Sequence, residues 1–98
     1  MRRRVAVTGI GMVTPLGNDR ESTWSALMKD ASGIAPIRSF DASGYPTRIA
    51  AEIKNFDPSA HMERKLLRYS TRFTPFAFAA AEEAVRDAGL GLRVADRS

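Results

Sequence analysis

Residues 5–18 read VAVTGIGMVTPLGN, and the fold turns on how this stretch is interpreted. The β-branched run over 5–10 predicts a largely buried strand, because apolar residues occupy both of its faces. Gly9, Gly11, Pro15 and Gly17 then punctuate a loop. A glycine pair after a strand invites a dinucleotide-binding reading, which requires G-x-G-x-x-G running straight into a helix. Here the third glycine position is Thr14, Pro15 follows, and a helix begins only near Asp19. A pyrophosphate would find no helix N-terminus behind the loop. Close backbone packing at the two glycines is the better reading, and no cofactor site is expected.

Further along the chain, Asn18 with Glu21 three places on is a helix-start signal. Trp24, Leu27 and Met28 recur at helical spacing and predict one buried stripe, fading by Gly33. Residues 34–46 carry two prolines, Ser39, Ser43 and Gly44, and read as a loop. RIAAEIK at 48–54 alternates, which predicts a half-buried strand with Ile49, Ala51 and Ile53 on one face. Asp57-Pro58 favours a turn, residues 59–70 read as helical, and a further helix is expected over 74–88. Pro75 suits that helix's first turn, and Gly89-Leu90 is a stop signal. Residues 91–98 have no legible pattern. The order is that of an α/β fold, yet two strands rarely make a stable sheet, so the pattern looks incomplete.

The whole chain has 98 residues, enough for one modest core. Its 44% apolar and 27% charged shares are ordinary for a globular protein. No apolar run approaches the ~20 residues of a membrane span. Met1-Arg2-Arg3-Arg4 resembles a signal-peptide start, but Gly9, Gly11 and Pro15 break the apolar stretch behind it, so a cytoplasmic protein is expected. With no cysteine, the chain has no disulfide, thiolate metal site or cysteine nucleophile. The net charge of +4 points either to a solvated surface or to an acidic partner.

Candidate chemistry is sparse. His61 is the single histidine and has no companion ligands in sequence, so no metal site is expected and an exposed position is. No G-x-S-x-G elbow occurs. Glu82 and Glu83 are adjacent on a helix, diverge by about 100°, and are expected to be solvated. Phe73, Phe76 and Phe78 with Ala79-Ala80-Ala81 suggest close helix packing rather than a ligand groove. Arg64, Lys65, Arg68 and Arg72 are more informative. On continuous helical geometry 64, 68 and 72 form one ridge with Lys65 beside it, offset locally only by Glu63. Like charges so close favour an external anion; a reading motif for nucleic acid is lacking.

Three collinear segments share a further property. VAVTGIGMVTPLGN (5–18) with ESTWSAL (21–27) and SGI (32–34), then FDASGYPTRIAAEIKNFDP (40–58), then RFTPFAFAAAEEAVRDAGL (72–90) resemble the opening of class II elongating β-ketoacyl-acyl-carrier-protein synthases. The resemblance covers about residues 2–92. It implies a partial thiolase-like α/β fold, comprising the first strands and helices of the N-terminal half, with residues 1–98 an incomplete portion of the synthase N-terminal domain. It further implies a homodimeric acyltransferase of fatty-acid elongation, which condenses an acyl group with decarboxylated malonyl-carrier protein. The cysteine, histidines and lysine of that chemistry lie downstream in the family. No residue here is therefore assigned a catalytic role, His61 matches neither catalytic histidine, and the chain alone is expected to be inactive.

One family feature does reach these residues. A basic segment patterned R-K-x-x-R-K grips the acidic acyl carrier protein, and here it reads Arg64-Lys65-Leu66-Leu67-Arg68-Tyr69. The resemblance thus implicates Lys65 and Arg68, with Arg64 and Arg72 in support, and Tyr69 stands in place of a lysine. Exposed pairs of this kind contribute below ~1 kcal/mol each, so steering is expected more than anchoring. Two alternatives stand beside this reading: a polyketide-type ketosynthase, and a non-enzymatic basic carrier-protein-binding module. Neither nucleic acid nor membrane is an expected partner.

Overall fold

Asp19, one residue later than expected, opens the first helix. In the computed structural model, which describes residues 2–90, its carboxylate accepts from the Ser22 amide at 2.7 Å and from the Ser22 hydroxyl at 2.6 Å. Asn18 serves elsewhere: its side-chain amide donates to the Lys54 and Asn55 carbonyls at 2.8 and 3.2 Å. The cap moves because an aspartate directly at the helix start satisfies an orphan amide and complements the positive helix end. The chain divides into two compact units, Met1–Met12 with Pro58–Ser98, and Val13–Asp57.

The Val13–Asp57 unit holds α1 (Arg20–Met28) and a two-stranded antiparallel sheet of β1 (Ile34–Pro36) and β2 (Ile49–Ala51). Ile34 pairs with Ala51, Ala35 with Ala50 and Pro36 with Ile49. The expected strand over 48–54 forms, shorter and with its faces exchanged: Ala50 is half-buried while Ile49 and Ala51 are exposed. β1 falls in a stretch whose composition is that of a loop. Proline is tolerated there because an edge strand has no ladder bond to lose on its outer side. Glu52 closes the hairpin by accepting from the Arg38 and Ser39 amides at 2.9 and 3.2 Å. The long connection is fastened by an edge-to-face pair of Phe40 and Tyr45, with ring centroids 5.9 Å apart, and Ala42 is buried.

Ahead of α1, Thr14 and Gly17 exchange backbone hydrogen bonds of 2.8 and 3.1 Å around Pro15, which suits the second position of a turn. The Thr14 and Thr23 hydroxyls lie 2.9 Å apart, and Thr23 also donates to the Asp19 carbonyl at 2.8 Å. Thr23 is the buried residue of α1. The apolar stripe expected there is not buried: Trp24, Leu27 and Met28 are all exposed. Within this unit no element of described residues covers that face.

The other unit contains a 3₁₀ turn (Pro58–Ala60), α2 (Arg64–Leu67) and α3 (Thr74–Asp87). The helix expected over 59–70 is thus broken, with Glu63 extended between the turn and α2. A second break separates α2 from α3. Pro75 has no amide to give the Thr71 carbonyl and its ring would meet that group, so a continuous helix through 71–75 is excluded. Ser70 reinforces the stop by donating its hydroxyl to the Leu67 carbonyl at 3.1 Å. α3 matches its expected bounds and ends as read: Gly89 adopts φ +75°, its amide reaches the Arg86 carbonyl, and the Leu90 amide reaches Val85.

Residues 5–10 do not form the expected strand. Val5 and Val7 are 92% and 80% exposed, and no strand lies beside them among the described residues. Instead, residues 9–12 run against α3. The Ile10 amide donates to Asp87 Oδ2 at 3.0 Å and the Met12 amide to Glu83 Oε1 at 2.9 Å. Two steps of extended chain advance about 6.6 Å and four of a helix about 6 Å, so amides two apart meet carboxylates four apart. Gly9 and Gly11 make the approach possible. A Cβ on Gly11 would come within 2.7 Å of the Ala84 nitrogen, and one on Gly9 within 2.7 Å of the Ala88 nitrogen. The close-packing reading of the glycine pair and of the alanine-rich helix therefore holds. Glu83 is not the solvated residue expected.

The absence of pattern over 91–98 concerns residues outside the described range. Among the described residues, no helix is long and apolar enough to cross a membrane.

Candidate functional site

Arg64, Lys65, Arg68 and Arg72 are all exposed, and among the described residues none of the four forms a salt bridge. α2 supplies the first two. The Arg68 amide bonds to the Arg64 carbonyl at 3.3 Å, which sets Arg64 and Arg68 one α-turn apart. Arg72 does not extend that ridge. It lies in the turn before α3, within the stretch that Pro75 keeps out of a continuous helix, so the expected single ridge of three arginines is replaced by a pair and a separate residue.

Exposed apolar side chains alternate with these cations along the chain. Leu66, Tyr69 and Phe73 are 53%, 87% and 69% exposed. The Tyr69 amide bonds to the Leu66 carbonyl at 3.1 Å, an i to i+3 link that tightens the chain into a turn at the end of α2. Tyr69 was legible as a departure from the basic pattern. Its exposure was not, because burial depends on what packs nearby. The surface can attract an anionic partner and also offer it apolar contact.

His61 lies elsewhere in the same unit and is half-buried rather than exposed. Its Nδ1 is 3.6 Å from Glu82 Oε2, which also lies 3.7 Å from Arg86 Nη2. Glu82 is exposed, as expected, yet lies between an imidazole and a guanidinium, a contact invisible in sequence because residues 61 and 82 belong to different elements. Among the described residues no three of His, Asp and Glu gather into a metal-ligand cluster. An open hollow of about 460 Å³ in the Val13–Asp57 unit is lined by Thr14, Leu16, Ser22, Ala26, Lys54 and Asn55. Its cation is occupied, since Lys54 Nζ donates to the Pro15 carbonyl at 3.3 Å.

Comparison with known proteins gives a consistent picture. The family of the β-ketoacyl synthase N-terminal domain matches residues 2–98. The 3-oxoacyl-[acyl-carrier-protein] synthase 2 of Coxiella burnetii is 46% identical over 89 residues, 91% of this chain and 22% of the relative. The synthase 2 of Staphylococcus aureus strain COL is 41% identical over 97 residues, 97% of this chain and 23% of the relative. Among solved structures, the ishigamide ketosynthase/chain length factor superposes with a TM-score of 0.81 at 37% identity, covering 92% of this chain and 22% of its own. The chain thus spans just over a fifth of the length of these relatives, and its helices and strands are part of a thiolase-like α/β fold. With a family match over residues 2–98, the chain belongs to the β-ketoacyl synthase N-terminal domain family.

Proposed function

We propose that this chain is an incomplete portion of the N-terminal domain of a 3-oxoacyl-[acyl-carrier-protein] synthase II. That enzyme would extend fatty acids by condensing an acyl group with decarboxylated malonyl-carrier protein. The observation that carries the proposal is identity of 46% to the Coxiella burnetii synthase 2 across 91% of this chain. The chain has no cysteine to take up an acyl group, so in this reading the condensation is done by residues outside it. In this reading the exposed Val5 and Val7, and the uncovered Trp24, Leu27 and Met28, are apolar surface that the rest of the enzyme would cover. The intact synthase would be a cytoplasmic homodimer.

Within that enzyme, Arg64, Lys65, Arg68 and Arg72 contribute to the dock for the acidic acyl carrier protein. Four exposed cations without a carboxylate partner among the described residues support this role. A polyketide-type ketosynthase is the second reading, favoured by the likeness to the ishigamide ketosynthase/chain length factor.

Charge reversal tests the dock. In the full synthase, K65E with R68E is expected to raise KM for carrier-protein substrate about tenfold, to leave kcat nearly unchanged, and to flatten the salt dependence. An unchanged KM would remove the docking role. Product analysis with saturated acyl-carrier substrates separates the fatty-acid reading from the polyketide one.

A further inference from the structure

The basic turn differs from a purely electrostatic patch in one respect. Among its exposed apolar side chains Tyr69 is the most exposed, at 87%, flanked in sequence by Arg68 and followed by Arg72 and the exposed Phe73. Leu66, 53% exposed, is joined to Tyr69 by the 3.1 Å backbone hydrogen bond from the Tyr69 amide to its carbonyl. An isolated tyrosine so placed contributes nothing to folding, because it buries almost no area. Against a partner it behaves differently. An aromatic ring with few rotatable bonds loses little entropy on docking, and removing its apolar surface from water is insensitive to salt. The surrounding cations attract an acidic surface over a distance of about 10 Å but bind weakly once screened.

We infer that Tyr69, supported by Leu66 and Phe73, is the apolar anchor of this dock and takes an acidic protein surface that carries an exposed apolar side chain. The inference rests on the docking role proposed for the four cations and adds its division of labour: the cations set the encounter, and the tyrosine holds what they capture. The choice of an acidic protein comes from charge complementarity, since the cations have no carboxylate partner among the described residues. A consequence is that binding retains a component at high salt, which a lysine at position 69 would remove.

The experiment titrates the full synthase with apo acyl carrier protein at about 0.05 M and about 0.5 M salt. It compares the wild type with Y69A, Y69K and the K65E/R68E pair. Circular dichroism should show unchanged helix content for the Tyr69 variants, because no packed contact is lost. Y69A is expected to weaken binding about tenfold at both salt concentrations. Y69K should bind well at low salt and lose the high-salt component. If Y69A binds like the wild type while K65E/R68E weakens binding, the anchor is wrong and the electrostatic dock survives. Should no variant alter binding, both readings fall. Phosphatidylglycerol–phosphatidylcholine vesicles provide a second arm. Tyr69-dependent capture by vesicles without capture by the carrier protein would overturn the inference in favour of a lipid surface.

Discussion

In the unit of Met1–Met12 and Pro58–Ser98, residues 9–12 are extended with no strand beside them among the described residues, and their amides go to carboxylates on α3. In the Val13–Asp57 unit, β1 is also short and extended, yet its backbone pairs with β2. Both segments must find acceptors for their amides. The first finds them on side chains and requires a demanding coincidence: two glycines two apart, a helix with Ala80, Ala84 and Ala88 in one row, and Glu83 and Asp87 one turn apart. The second needs only a neighbour of compatible register. A segment that depends on close approach should be intolerant of added atoms. One that depends on a ladder and on local turns should lose stability in smaller steps.

The largest expected effect comes from breaking the close approach. Gly11→Val would drive its side chain into the backbone of α3 at Ala80 and Ala84, and overpacking of this kind costs about 3 kcal/mol. Amide exchange at Ile10, Met12 and through α3 should rise about a hundredfold. Gly44→Ala supplies the contrast, because a Cβ there meets nothing within 4 Å, and protection should be unaffected. Wild-type exchange in Gly11→Val would mean that the segment does not rest on the helix.

An intermediate effect is expected in the other unit from Thr23→Val. The shape is retained, but the hydroxyl that lies 2.9 Å from Thr14 and 2.8 Å from the Asp19 carbonyl is lost from a buried position. That costs about 1–2 kcal/mol. Protection of the Gly17 amide by hydrogen exchange is the readout, and a value unchanged from wild type would show that the threonine pair is incidental.

The smallest effect concerns the helix cap and its pH dependence. Hydrogen bonds from the Ser22 hydroxyl and then the Ser22 amide hold the Asp19 carboxyl below its ordinary value of 3.8. Because the folded value is the lower one, the cap's contribution is fully present above the ordinary value and disappears as pH falls through the lowered one. Asp19→Ala should destabilise α1 by about 1 kcal/mol at neutral pH. Asp19→Asn keeps an acceptor and should flatten the acid loss of helicity. Circular dichroism from neutral to strongly acidic solution measures both, and a wild-type acid profile in Asp19→Asn would exclude the carboxylate as its source.

Residues whose roles are local were readable in advance. Gly89 stops α3 because a left-handed backbone is cheapest at glycine, and Pro75 suits a first turn because its missing amide is not needed there. The glycine pair was legible as a site of close packing, although not its partner. The basic cluster was legible as charge, but its geometry was misread. A ridge drawn through 64, 68 and 72 ignores a proline whose steric effect reaches back four residues. The apolar stripe of α1 was misread for the opposite reason: periodicity reports a face able to be buried, and burial needs a second surface.

Sequence alone determined the family, the reach of α3 and its stop, the lack of a thiol, and the positive charge of residues 64–72. Each depends on residue identity or on bonds within a few residues. Tertiary structure decided that residues 9–12 use helix carboxylates, that Glu82 faces His61 and Arg86, and that Tyr69 stands clear among the cations. Those outcomes depend on which distant surfaces come within about 4 Å, and contacts of that range are set by the folded path of the chain rather than by its local pattern.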